Sequence, residues 1–359
     1  MAYEISAERK ITFVPGLSDS MFFAYSIILF ALIILALSYI SSLFMNIASA
    51  TYDTDRFYAM ARVIVNGGTP YLDYQDPKPP LIFFILTLPI LLGQQFLGGL
   101  LLIGLCDLAS TIVVMKIAWE FYGRSSGLFA GLLFVINIIW AQGYFIMTEP
   151  FTVLFILLAT YFALCGKDKH YFISGLSLGI AVGFKQYAII AVPLLLLVLY
   201  LHRDLKKAPA FLAGVALPLI IIFGLVFLVY GKQALGDSIY WSFGIAAPYV
   251  AGMNVNGIIS SEITNDLELS ANVMIASTLF MLTALALMRF RRYKRLNTGE
   301  IFFLLAALGF SSTIFIRQYL HYWVLALPFF AIFWTGWLLE EYYKKDFVFN
   351  IDEKADNLR

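Results

Sequence analysis

The sequence predicts an all-α fold, a polytopic bundle of transmembrane helices. Of its 359 residues, 61% are hydrophobic and only 13% are charged, whereas a soluble chain has about half apolar and about a quarter charged residues. Apolar runs of about twenty residues recur from end to end, which is long enough to cross a hydrocarbon core. The net charge of +1 provides no field that would attract nucleic acid, so no such partner is expected.

The first apolar run, at about residues 21–45, is too long for the core of a signal peptide. It is interpreted as a retained span with the N-terminus inside. Residues 51–81, called the polar island below, follow it with four aspartates and three basic residues. Within the island, residues 55–66 carry apolar side chains at helical spacing, which predicts a helix in the plane of the interface. The prolines at 77, 79 and 80 then predict an extended approach and a new helix.

Ten further apolar runs follow the island. They lie at about residues 81–92, 96–121, 128–140, 151–165, 171–184, 187–201, 211–230, 273–288, 301–316 and 322–339. The polar segments between them include a short break at Lys185-Gln186 and a long outer loop from Gly231 to about Ser270. Short basic clusters between the runs mark cytoplasmic ends, and an even number of spans must separate any two of them. This condition is met if the run at 81–92 does not fully cross, which gives about ten spans, with eleven as the alternative. We expect one membrane domain, residues 1–342, and a short polar tail, residues 343–359.

Cysteine and histidine give no metal or disulfide signal. Cys106 and Cys165 lie in or beside apolar runs, where they behave as small hydrophobic side chains. Two of the three histidines, His170 and His202, belong to basic clusters. A histidine-rich metal site is therefore not expected.

Two carboxylates open the polar island. Asp53 precedes the predicted interfacial helix, where it is a helix cap or a general base toward a hydroxyl or amine. The helix N-terminus favours its ionised form in either case. Asp55 is the second catalytic candidate, and close carboxylates also hold divalent cations through hard oxygen ligands. Asp55 and Asp76 are therefore the metal candidates, and a divalent cation is the one cofactor considered.

The segment Asp76-Pro-Lys78-Pro-Pro80 predicts a phosphate contact. A lysine at the start of a proline-initiated helix places an ammonium beside free backbone N–H groups. The alternative is a lysine that reaches from a helix end to the membrane surface.

Four later ionisable residues are candidates for substrate binding. Glu149 lies at an outer helix end, where a cap is the alternative. Lys185 interrupts an apolar stretch, and ionisable residues within a membrane are usually functional. Arg317 and His321 share one outer boundary, where the guanidinium suits phosphate and an interface anchor is the alternative.

The order of these motifs resembles the GT-C membrane glycosyltransferases of the protein O-mannosyltransferase and aminoarabinose-transferase type. The matching elements are Asp53-Thr-Asp55, Tyr58-Ala-Met-Ala-Arg62, Gly68-Thr-Pro-Tyr-Leu-Asp73, Lys78-Pro-Pro-Leu81, Thr148-Glu-Pro150, Gly183-Phe-Lys185 and Arg317 with Tyr322 and Pro328. The resemblance covers about residues 20–340.

The resemblance implies transfer of a sugar from a polyprenyl- or dolichyl-phosphate carrier on the outer face of the membrane. It makes Asp53 the catalytic carboxylate, Lys78 the contact to the carrier phosphate, and Glu149 the acidic residue of the second outer loop. Two positions depart from the family pattern. Thr54 stands where members often have Glu, and Pro77 stands where an acid often precedes the lysine, which puts a metal role for Asp76 in doubt.

The resulting hypothesis is an inverting glycosyltransferase of the cell membrane, with its active site outside and a lipid-phosphate sugar as partner. Asp53 would deprotonate the acceptor, while Lys78 and Arg317 would neutralise the departing phosphate. The alternative is a transporter or flippase for a lipid-linked or polar solute. Transporters place charges near the membrane midplane, whereas the acidic residues here concentrate in a loop.

Overall fold

The computed structural model describes residues 17–44, 50–165, 170–244, 264–293, 297–316 and 319–336. Over these ranges the chain is helical, with turns, a single isolated bridge and no strand, which confirms the predicted all-α fold. The helices are α1 Asp19–Phe44, α2 Ala50–Val65, α3 Leu81–Leu91, α4 Gln95–Tyr122, α5 Arg124–Asn137, α6 Thr148–Leu164, α7 Tyr171–Phe184, α8 Ala191–Leu201, α9 Ala208–Ile239, α10 Thr264–Tyr293, α11 Thr298–Ile316 and α12, residues 323–336.

Among the described residues, three segments are long and apolar enough to cross a membrane: Asp19–Ile40, Gln95–Tyr122 and Leu205–Gly244. Eight shorter apolar helices of 10–17 residues accompany them. A helix of 17 residues is about 26 Å long, slightly less than the ~30 Å of a hydrocarbon core. The bundle is thus that of a membrane protein, and the number of ten or eleven spans stays a prediction.

The polar island folds as the proline and glycine pattern predicts. Helix α2 includes the expected interfacial helix but begins earlier, at Ala50, so Asp53 lies in its first turn and not before it. Gly67, with φ of 79°, follows the end of α2. Helix α3 begins directly after Pro80. Its 11 residues measure about 16 Å, so α3 is too short to cross the membrane alone.

A second cluster of buried aromatic side chains packs against the island. Phe57 of α2 and Tyr71 of the following loop both pack edge-on against Phe83 of α3, with ring centroids 6.1 and 5.9 Å apart. Phe151 of α6 stacks on Phe184 of α7 at 4.9 Å, and both belong to the same buried cluster. The core therefore fixes the island against the ends of α6 and α7.

Helices α7 and α9 approach each other through glycines. A Cβ atom at Gly175 would lie 2.1 Å from the backbone oxygen of Phe211, and one at Gly179 would lie 2.3 Å from that of Val215. Gly214 faces Gly175 from α9. Small residues at such contacts let membrane helices pack closely, so these positions require glycine.

The chain breaks between α7 and α8 at the position predicted from Lys185-Gln186. Lys185 has extended backbone angles, φ −150° and ψ 124°, and a short 3-10 helix, Gln186–Ile190, leads into α8. The other predicted break is wrong in its position. A long loop was expected from Gly231, but that residue is a kink with φ of 86°, and helical structure continues through a π-helical turn, Tyr240–Gly244.

Candidate active site

A buried carboxylate of α6 is the centre of the candidate site. Lys185 donates a hydrogen bond to Oε1 of Glu149, and Nε2 of His321 lies 3.5 Å from the same oxygen. The second oxygen accepts a hydrogen bond of 3.0 Å from the hydroxyl of Thr148. Glu149 and Lys185 are each 1% exposed. Both charges lie away from water, where a charge requires a partner.

Aromatic rings surround the Lys185 ammonium. Its Nζ atom lies 4.0 Å from the ring centroid of Tyr322 and 5.4 Å from that of Tyr187. These distances are those of cation–π interactions. His321 in turn stacks on Tyr319, with centroids 5.3 Å apart. The site thus joins the start of α6, the break between α7 and α8, and the turn before α12.

The backbone around Lys78 is held by groups from three other parts of the chain. The hydroxyl of Tyr71 donates to the carbonyl of Lys78 at 2.7 Å, and the hydroxyl of Ser242 lies 3.5 Å from the same oxygen. The side-chain amide of Gln186 donates to the carbonyl of Pro77 at 3.1 Å. These contacts fix the direction in which the Lys78 side chain leaves the backbone. Because Gln186 directly follows Lys185, its bond to Pro77 brings the segment of Lys78 close to the buried pair of Lys185 and Glu149.

Asp53 and Asp55 lie on different faces of α2. Asp53 is half-buried, and the hydroxyl of the next residue, Thr54, donates to the carbonyl of Ile146, three residues before Glu149. Asp55 is exposed, since residues two apart on a helix point in nearly opposite directions. The catalytic prediction for Asp55 therefore has no support from its placement.

Asp76 is a buried partner of groups within the island. Its Oδ2 lies 3.2 Å from Nη2 of Arg56, and its Oδ1 accepts a 3.1 Å hydrogen bond from the N–H of Lys78. Burial raises the pKa of Asp76 above its usual value, and the charges of Lys78 and Arg56 oppose this rise. Asp76 therefore anchors residues 76–80, which contain Lys78 and are called the lysine segment below.

The proposed metal pair is not assembled. Both oxygens of Asp76 face groups of the protein, and Asp55 is exposed. In the part of the chain that the structure describes, no group of three or more His, Cys, Asp or Glu side chains is arranged to hold a metal ion. The expectation of a divalent cation at Asp55 and Asp76 therefore does not fit the donor set. Arg317, the second predicted phosphate contact, lies outside the described residues.

Sequence reasoning missed the residues that hold the lysine segment, although Tyr71 carries a signal in its backbone. It has φ of 68°, and non-glycine residues in this left-handed region cluster at functional sites. Burial raises its pKa well above the ordinary value, so the hydroxyl keeps its proton and donates to Lys78. Ser242 and Gln186 had no such signal.

A family comparison matches part of the chain. Residues 77–227 match the family described as dolichyl-phosphate-mannose-protein mannosyltransferase. The match begins at the lysine segment and includes Lys78, Glu149 and Lys185. It confirms the resemblance to the GT-C transferases and supports a membrane glycosyltransferase of that kind. No curated protein and no solved structure matched the chain.

Proposed function

We propose that the protein transfers a glycosyl group, with inversion, from a polyprenyl- or dolichyl-phosphate carrier to an acceptor on the outer face of the membrane. One observation carries this proposal. Hydrogen bonds join the island to the buried pair of Glu149 and Lys185: Thr54, beside Asp53, donates to the carbonyl of Ile146, and Gln186, beside Lys185, donates to the carbonyl of Pro77. A carboxylate beside a set of cationic groups is what transfer from a glycosyl phosphate requires.

In the proposed reaction, Asp53 takes the proton from the hydroxyl or amine of the acceptor. The acceptor atom then bonds to the anomeric carbon from the side opposite the phosphate. The bond from that carbon to the phosphate oxygen breaks, and its electron pair leaves with the lipid phosphate. One displacement of this kind inverts the configuration of the anomeric carbon.

Lys78 is assigned to the leaving phosphate, where negative charge develops during the transfer. Its backbone is already fixed by Tyr71 and Asp76, so little ordering is needed when the donor binds. Lys185, His321 and Glu149 form the buried wall of the site and contact the substrate in this proposal. Arg317 remains a proposed second phosphate contact.

The lipid tail of the carrier has an apolar surface available beside the phosphate position. Helix α3 begins three residues after Lys78 and exposes Leu88, Leu91 and Leu92, each by more than half of its side-chain area. An isoprenoid chain that lies along α3 would place its phosphate near the lysine segment. This surface supports a lipid-linked donor over a soluble sugar nucleotide.

The deciding experiment compares Asp53→Asn with Asp55→Asn, a matched control on the same helix. Membranes that lack the protein supply the acceptor, and transfer from labelled dolichyl-phosphate mannose is measured with the purified chain. We expect Asp53→Asn to lower the rate by about 10²- to 10⁴-fold, the usual contribution of a general base. Asp55→Asn should change it little.

Expression level and thermal unfolding of both variants provide the control for folding. Full activity of Asp53→Asn would contradict the proposed role. Uptake of a solute into proteoliposomes without any covalent product would instead favour the transporter hypothesis.

A further inference from the structure

Gln186 lies at the break between α7 and α8 with its amide fixed in one orientation. Its Nε2 atom is 3.1 Å from the carbonyl oxygen of Pro77. A proline carbonyl can only accept a hydrogen bond, so the nitrogen of the amide must face it. The amide oxygen, Oε1, therefore points away from Pro77.

This oxygen is buried and has no hydrogen-bond partner among the described residues. Buried polar atoms in folded proteins almost always have a partner, and an exception needs an explanation. A buried acceptor without a donor is costly because it has lost its contact with water. The position of Oε1 therefore suits a ligand that brings a hydrogen-bond donor.

The surroundings of Gln186 indicate which group of a ligand donates the hydrogen bond to Oε1. The residue follows Lys185 in the chain, and its hydrogen bond to Pro77 joins it to the segment of Lys78. Under the proposed function, the glycosyl phosphate of the donor lies between Lys78 and Lys185. The phosphate oxygens only accept hydrogen bonds, so they cannot satisfy a carbonyl oxygen. A sugar hydroxyl can donate to it.

We propose that Oε1 of Gln186 accepts a hydrogen bond from a hydroxyl of the donor's glycosyl group, and that Gln186 thereby selects the sugar. This inference rests on the proposed function. A site built to hydrogen-bond a hydroxyl rejects ligands that lack it, because its own polar atom is then left without a partner. The bond to Pro77 makes Oε1 a pre-positioned acceptor and not an adaptable one.

The test measures binding of three lipids to the full chain in detergent: dolichyl-phosphate mannose, dolichyl-phosphate glucose and bare dolichyl phosphate. Gln186→Met keeps the length of the side chain but removes both polar atoms. We expect about a tenfold loss of affinity for the preferred sugar lipid, which corresponds to ~1.4 kcal/mol. The affinity for bare dolichyl phosphate should fall less, because only the bond to Pro77 is lost for that lipid.

Ser242→Ala provides the matched control, because Ser242 also contacts the lysine segment but offers no acceptor to the sugar in this proposal. This variant should leave the ratio of affinities for sugar lipid and bare lipid as in the wild type. Thermal unfolding of both variants reports on their folding.

Equal weakening of all three lipids by Gln186→Met would overturn the proposal, because the residue would then act only through the lysine segment. A wild-type chain that binds the three lipids equally would overturn it as well. Unchanged affinity of Gln186→Met for all three lipids would also overturn the assignment of this hydrogen bond to the donor. Failure of the wild type to bind any of the lipids would instead refute the lipid-phosphate donor, and this inference with it.

Discussion

Replacing Lys185 by methionine should lower the free energy of unfolding more than a lysine-to-methionine substitution at the surface does. The change leaves the carboxylate of Glu149 buried with only Thr148 and His321 beside it. Removal of one partner from a buried ion pair typically costs about 3 to 5 kcal/mol. Because His321 lies 3.5 Å from the carboxylate and can take up a proton, we expect the lower end of that range.

The double variant Glu149→Gln/Lys185→Met separates loss of the pair from loss of packing. It replaces both charged groups by neutral ones of similar size, so it should recover most of the stability that Lys185→Met loses. Unfolding in mixed micelles with increasing denaturing detergent gives the free energy of each variant. Lys206→Met, at an exposed lysine, is the control.

Two results would refute this reasoning about the pair. One is a loss in Lys185→Met no larger than that in Lys206→Met. The other is a double variant less stable than either single variant, because the two charges would then contribute independently.

Two further predictions concern the packing of the bundle and the island. Gly175→Ala should destabilise the protein by about 1 to 3 kcal/mol, since its Cβ atom would lie 2.1 Å from the backbone oxygen of Phe211. Gly224→Ala is the control and should have little effect, because no atom lies within 4 Å of the added Cβ. Equal unfolding midpoints for the two variants would contradict the close contact of α7 and α9. The raised pKa of Asp76 means that the folded state binds this proton more tightly than the unfolded chain, so its stabilisation is present below about pH 4 and is lost as the pH rises through the folded-state pKa. Asp76→Asn should remove that loss, so its thermal midpoint relative to the wild type should rise as the pH rises above about 4. A constant difference would contradict the raised pKa of Asp76.

The helices were predictable because apolar composition marks membrane helices, and proline, glycine and charged residues mark where they start and end. The start of α3 followed from Pro80, and the break after α7 followed from Lys185 within an apolar stretch. The kink at Gly231 was misjudged as the start of a loop, because a glycine at positive φ suits both. Only the packing of neighbouring helices decides between them.

The ionisable members of the candidate site were predictable one by one, but their contacts were not. Ionisable residues in apolar surroundings must find partners, which singled out Glu149 and Lys185 without showing that they pair. The pair spans 36 positions and depends on how α6 and α7 pack. The choice between Asp53 and Asp55 depended on the rotation of α2 about its axis. A helical pattern alone leaves that rotation open when both faces carry polar residues.

The placement of Asp53 follows from two anchors that come after it in α2. The hydroxyl of the next residue, Thr54, donates to the carbonyl of Ile146 at 3.0 Å, three residues before Glu149. Phe57, one turn further along, is buried against α3. The same helix thus contacts both the segment that leads to the buried carboxylate and the helix that begins after the lysine segment. A catalytic group must be held to within a fraction of an ångström of its productive position, and rigid anchors of this kind achieve that better than a free loop. Under the proposed function, the base of the polar island therefore lies on a helix, although a loop would suffice to connect two membrane spans.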